Sequence, residues 1–148
     1  MTYNHVKEDM YKGEPRLDYF SYAIENAKFP LVYNGNIFTA GDYSNYCIRL
    51  NHELESVMLG RGLIADPGLP QSLQGGDIKF DYKKFWELHD LVYHEYQKVI
   101  FPDINTLYRM KELWSYWKVN FDNSDRIFRR IVKAKKYNDY ESIINDLK

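Results

Sequence analysis

The sequence predicts an α/β fold: the C-terminal part of a (β/α)8 TIM barrel, two or three β/α units, followed by an all-α helical bundle. Three observations predict it. Pro30-Leu31-Val32-Tyr33-Asn34-Gly35-Asn36-Ile37 and Ser56-Val57-Met58-Leu59-Gly60-Arg61-Gly62-Leu63-Ile64 are apolar runs of strand length that stop at glycine. A helix-patterned stretch lies between them, which makes a βαβ unit. Beyond Gly75-Gly76 the apolar spacing is helical throughout. Glycines at the carboxyl ends of neighbouring parallel strands let backbone N–H groups approach an anion, as the last two strands of such a barrel do for a phosphate. The chain has 148 residues, against about 250 for a whole barrel, so the closing part alone is expected.

The elements follow in order. Met1 to Pro15 is polar and aromatic without periodicity, and Gly13-Glu14-Pro15 closes it as a loop. Leu17, Phe20, Ala23, Ile24 and Ala27 recur at helical spacing, giving a helix near 16–27 that ends before Pro30. A strand over 30–34 comes next. Thr39 and Asp42 form a candidate N-terminal cap for a helix near 40–51, with Tyr43, Tyr46, Cys47 and Leu50 on one face. A second strand covers 56–60. Leu63 to Gly68 reads as a short helical turn broken by Pro67, and Gly75-Gly76 as a linker. The expected domains are therefore 1–73 and 78–148. In the second, Phe85, Leu88, Val92, Tyr96 and Val99 stripe one helix, and Ile104, Leu107, Trp114, Trp117 and Phe121 the next. Asn123 or Ser124 caps a third near 125–136, and Tyr140, Ile143, Ile144 and Leu147 stripe a fourth.

Composition narrows the function classes. Fourteen Tyr, eight Phe and three Trp with few Gly and Pro describe a globular chain. No apolar run approaches the roughly 18–20 residues of a membrane span, and the start lacks a signal-peptide pattern, so a soluble, cytoplasmic protein is expected. One cysteine, Cys47, excludes an internal disulfide framework and a thiolate metal site. The net charge of −1 divides into −4 over residues 1–100 and +3 over 101–148.

The glycine segments are similar to a known pattern. Asn34-Gly35-Asn36-Ile37 and Met58-Leu59-Gly60-Arg61-Gly62-Leu63-Ile64-Ala65-Asp66-Pro67 resemble the ends of the last two barrel strands in the flavin-dependent tRNA-dihydrouridine synthases. Asp9-Met10-Tyr11-Lys12-Gly13-Glu14-Pro15 resembles the loop after that family's sixth strand, and Met110-Lys111-Glu112-Leu113-Trp114 its helical-domain signature. The resemblance covers nearly the whole chain, and four segments in order and spacing carry it.

That resemblance implies FMN as cofactor, NADPH as its reductant and a tRNA uridine as substrate. It makes Asn34, Gly35, Asn36, Gly60, Arg61 and Gly62 the cofactor-binding candidates. Chemistry supports the role independently for Gly35, Gly60, Gly62 and Arg61, since glycine permits close backbone approach and arginine offers a fork matching phosphate. The alternative is that the glycines serve turns and Arg61 the surface. No catalytic residue is assigned, because the family's proton-donating cysteine and its flavin-side lysine belong to the first half of the barrel. Cys47 sits on a helix of the barrel's outside. Tyr3-Asn4-His5 aligns with the family's His-Pro/Gly-Arg motif without keeping its histidine and arginine positions, which leaves His5 as a candidate replacement contact or a solvated residue.

Other residues carry weaker signals. His52, His89 and His94 match no metal-ligand spacing and read as structural. Glu53 and Glu55 read as solvated. Arg126, Arg129, Arg130 and Lys133 share helical spacing and form the candidate RNA-binding stripe, among further basic residues Arg109, Lys111, Lys118, Lys135 and Lys136. Trp114 and Trp117 fit a core stripe better than a base platform. The chain alone is expected to be inactive. A separately encoded N-terminal barrel half or self-association would complete it, or it is a relic; a non-catalytic RNA-binding module and an unrelated phosphate-binding barrel piece are the rivals.

Overall fold

A computed structural model of the chain describes residues 13–75 and 79–148. The readings placed on His5, on Asp9 to Lys12 and on Gly76 lie outside these residues. The helices are α1 (Leu17–Asn26), α2 (Ala40–Leu50), α3 (Arg61–Ala65), α4 (Leu69–Leu73), α5 (Tyr82–Val99), α6 (Asp103–Trp117), α7 (Ser124–Lys133) and α8 (Tyr137–Asn145), with one 3-10 turn at Lys118–Asn120.

The barrel expectation is overturned. Among the described residues the chain is helical and holds no strand; the runs at 30–34 and 56–60 meet in a single parallel bridge between Tyr33 and Val57. Tyr33 N–H donates to the Ser56 carbonyl at 2.9 Å, and Met58 N–H donates to the Tyr33 carbonyl at 2.8 Å. The pairing goes no further for a physical reason. Parallel ladders gain little per residue and are normally covered on both faces. Here Tyr33 is buried, but its neighbour Val32 is 42% exposed and Met58 is 55% exposed, so only one face of the pair is covered.

The described residues divide into two compact units, 13–63 with 69–75, and 64–68 with 79–148. In the first, Phe20 of α1, Tyr46 and Leu50 of α2, and Leu69 of α4 bury against Tyr33, Ile37 and Leu54. A capping box starts α2: the Thr39 hydroxyl accepts from Asp42 N–H at 3.0 Å, and the Asp42 carboxylate accepts from Thr39 N–H at 2.8 Å. Asn51, in the left-handed region at φ 48°, ends it. Cys47 packs partly buried against this core. The helix α4, ahead of the linker expected at Gly75-Gly76, has no counterpart among the expected elements.

In the second unit α5, α6, α7 and α8 enclose Phe85, Leu107, Met110, Trp114, Trp117, Ile131 and Tyr140. The Asp81 carboxylate caps α5 by accepting from Lys84 N–H at 3.1 Å. The buried line of α5 is Phe85, His89 and Tyr93 rather than the expected stripe through Val99, which is 77% exposed. Asn123 precedes α7 in the left-handed region at φ 56° and offers its carbonyl, not its side chain, to the first turn. Residues Ile64 and Ala65 are tied into this unit, because Trp117 Nε1 donates to the Ile64 carbonyl at 3.0 Å and Asn120 Nδ2 to the Ala65 carbonyl at 2.8 Å.

Candidate functional site

The two glycine segments come together in the first unit. After Tyr33 the chain turns through Asn34, Gly35 and Asn36, closed by the Ile37 N–H donating to the Gly35 carbonyl at 3.0 Å. Tyr33 lies under this turn, its ring edge-on to Phe20 at 5.0 Å and tilted against Tyr46 at 5.3 Å. Any Cβ on residue 35 would stand 2.3 Å from the Tyr33 hydroxyl. After Gly60 the chain enters α3, where Leu63 N–H donates to the Gly60 carbonyl at 3.0 Å. Gly62 is buried, and a Cβ there would meet the Ile37 carbonyl oxygen at 2.0 Å.

One side-chain bond spans the two segments. Arg61 Nη2 donates to Asn36 Oδ1 at 2.8 Å, and Asn36 Nδ2 donates onward to the Gly13 carbonyl at 3.1 Å. The guanidinium also lies 5.9 Å from the Phe38 ring centroid. Asn36 therefore orients the half-buried Arg61 fork. Gly60 is exposed, and a Cβ there would touch nothing within 4 Å among the described residues.

Of these residues, Arg61 and the open backbone at Gly60 would suit a phosphate oxygen. A fixed guanidinium beside glycine backbone that other atoms can approach is a donor set suited to a phosphate oxygen. The glycines divide in role: Gly35 and Gly62 are required by their own chain's packing, whereas Gly60 alone leaves open space. A groove of about 160 Å³ elsewhere in this unit is lined by Phe20, Phe29, Leu31 and Leu54 together with His52 and Glu53. It includes none of the candidate cofactor residues and is small beside the roughly 300–1,000 Å³ of ligand pockets.

In the second unit Arg126, Arg129, Arg130 and Lys133 are all exposed on α7, opposite the buried Ile127 and Ile131. Their field is partly tied down. Arg130 pairs with Asp146, and Arg129 Nε donates to the Asp125 carbonyl at 3.1 Å. Lys118 pairs with Asp125 at 3.1 Å and Arg109 with Glu112 at 3.1 Å. Lys111 instead donates to the Ala134 carbonyl, and burial pulls its ammonium below the usual lysine range. Trp114 and Trp117 are core residues.

Sequence reasoning missed a polar cluster inside this unit. The His89 ring, 1% exposed, holds the Tyr140 hydroxyl at Nε2 (2.8 Å) and Asp90 at Nδ1 (2.9 Å). Trp114 Nε1 donates to the same Tyr140 oxygen at 2.8 Å, and Lys148 Nζ donates to Asp90 at 2.7 Å. A signal was available: His89 stands four residues from both Phe85 and Tyr93, on the face that helical spacing assigns to them. His52 and His94 are exposed, and no cluster of metal-ligating side chains occurs among the described residues. No helix among them is long and apolar enough to cross a membrane. Set against models of known protein families and against curated protein sequences, the chain matches none.

Proposed function

We propose that this chain supplies the flavin-phosphate and tRNA-contacting parts of a tRNA-dihydrouridine synthase, a cytoplasmic oxidoreductase that reduces uridine in tRNA with FMN and NADPH. The observation that carries this reading is the Arg61–Asn36 hydrogen bond. It joins two segments that the motif pattern links and that lie 25 residues apart. Arg61 and the backbone at Gly60 hold the phosphate, Asn36 orients the guanidinium, and Asn34, Gly35 and Gly62 shape the turns around it. Bound FMN would supply the hydride that saturates the uridine C5–C6 bond, and NADPH would recharge it. The α7 stripe of Arg126, Arg129, Arg130 and Lys133 engages the tRNA backbone. Cys47 packs on α2 and supplies no proton. The reaction's acid would therefore come from a separately encoded N-terminal half.

A second reading has one observation in its favour. Gly35 and Gly62 are explained in full by the Tyr33 hydroxyl and the Ile37 carbonyl, with no ligand needed. On that reading the chain is an RNA-binding module or relic without flavin.

Titrating the purified chain with FMN and following flavin fluorescence separates the two, first alone and then with the N-terminal half of a related synthase. The first reading expects FMN retention in the mixture, weakened by Arg61→Ala, and NADPH-dependent uridine reduction. Binding of tRNA with no FMN retention in either sample selects the second.

A further inference from the structure

The hydrogens of the buried cluster in the helical unit can be assigned in only one fully paired way. Trp114 Nε1–H can only donate, so the Tyr140 oxygen accepts it at 2.8 Å. The Tyr140 O–H is then directed at His89 Nε2, 2.8 Å away, which requires that nitrogen bare. The imidazole proton therefore sits on Nδ1 and is donated to Asp90 at 2.9 Å, and the Asp90 carboxylate accepts a further bond from Lys148. One neutral histidine thus ties α5, α6, α8 and Lys148 together.

Adding a proton breaks this arrangement. A protonated ring turns Nε2–H toward an oxygen that already accepts from Trp114, and the Tyr140 O–H loses its acceptor inside the core. We propose that His89 is a proton-operated latch of the helical unit, closed while the imidazole is neutral and released by its protonation in mild acid.

The surrounding charges agree with that direction. On α5 the ring faces Asp90, which favours the proton, and lies near Tyr93 and His94; α8 brings Tyr140, and Glu141 through its bond from Tyr93; the C-terminal segment brings Lys148, which opposes the proton; α6 brings the uncharged Trp114 and Trp117. Burial outweighs Asp90 and pulls His89 below the usual imidazole range. The proton therefore binds the unfolded chain more readily. The latch contributes in full above the ordinary histidine value of about 6.5, and its contribution falls as pH drops from there toward the folded value.

The test is urea unfolding of the full chain followed by tryptophan fluorescence between pH 8 and 5, for the native sequence, His89→Gln and Tyr140→Phe. The native unfolding constant is expected to rise by up to about tenfold per pH unit below 6.5, His89→Gln to lose most of that rise, and Tyr140→Phe, which keeps the buried imidazole but has no hydroxyl to strand, to lose part of it. An unfolding constant flat across the range, or a rise undiminished in both variants, overturns the proposal. Should the variants fail to fold, NMR titration of the native histidines decides it. A neutral His89 carrying its proton on Nδ1 and titrating below about 6.5 supports the latch, and an Nε2–H ring or a midpoint at or above that value refutes it.

Discussion

Gly62 approaches Ile37 so closely that a Cβ on it would lie 2.0 Å from the Ile37 carbonyl oxygen. That oxygen is backbone and cannot swing aside, so Gly62→Ala should cost about 2–3 kcal/mol through overpacking and backbone displacement. Gly60→Ala, with nothing among the described residues within 4 Å of the new carbon, should stay within about 0.5 kcal/mol of the native chain. Urea unfolding of the two variants side by side checks both values; equal losses would contradict the contact.

Arg61→Ala should reduce FMN affinity on the order of tenfold to a hundredfold, the worth of a charge-assisted hydrogen bond of about 1.5–3 kcal/mol. Arg61→Lys should restore little of it, because an ammonium cannot reproduce the planar fork that Asn36 orients. Flavin fluorescence in the reconstituted mixture measures this. Native affinity in Arg61→Ala would remove the phosphate assignment while leaving the fold untouched.

Tyr33→Phe should stabilise the first unit by about 1 kcal/mol. The ring keeps its contacts with Phe20 and Tyr46, whereas the hydroxyl is buried without a hydrogen-bond partner among the described residues. Such a group carries its desolvation cost uncompensated. Burial also pushes its ionisation above the ordinary phenol range. A lower unfolding midpoint in Tyr33→Phe would mean that the hydroxyl has a role the contacts do not reveal.

Replacing Arg126, Arg129, Arg130 and Lys133 together by Gln should barely change stability, since all four are exposed and the Arg130–Asp146 pair is a surface one. Binding of tRNA should weaken, and the slope of log affinity against log salt should shallow by roughly 3 if all four meet phosphates. An unchanged slope would exclude this stripe as the RNA contact.

Local chemistry was legible in the sequence where it depends on near neighbours. The Thr39–Asp42 capping box, the bounds of α2 and the helical pattern after residue 79 all follow from spacing over one or two turns. The burial of Trp114 and Trp117 also followed from helical spacing. His89 was read as structural, and its partners escaped because Tyr140 and Trp114 are 51 and 25 residues away in sequence. A lone polar residue on an apolar face does not say who satisfies it.

The strand expectation failed on a different ground. The runs at 30–34 and 56–60 have the composition of buried parallel strands, and they do find each other in parallel at Tyr33 and Val57. Composition states only that a segment can pair. Whether a ladder extends depends on neighbours along both edges and on cover over both faces, and Val32 and Met58 remain exposed. The sequence by itself determined the helix caps, the apolar faces and the clustering of glycine and arginine around residues 34–36 and 60–62. Tertiary structure decided that Arg61 meets Asn36, that Gly35 and Gly62 serve packing while Gly60 stays open, and that one bridge stands where a sheet was expected, because long-range burial sets which local preferences are realised.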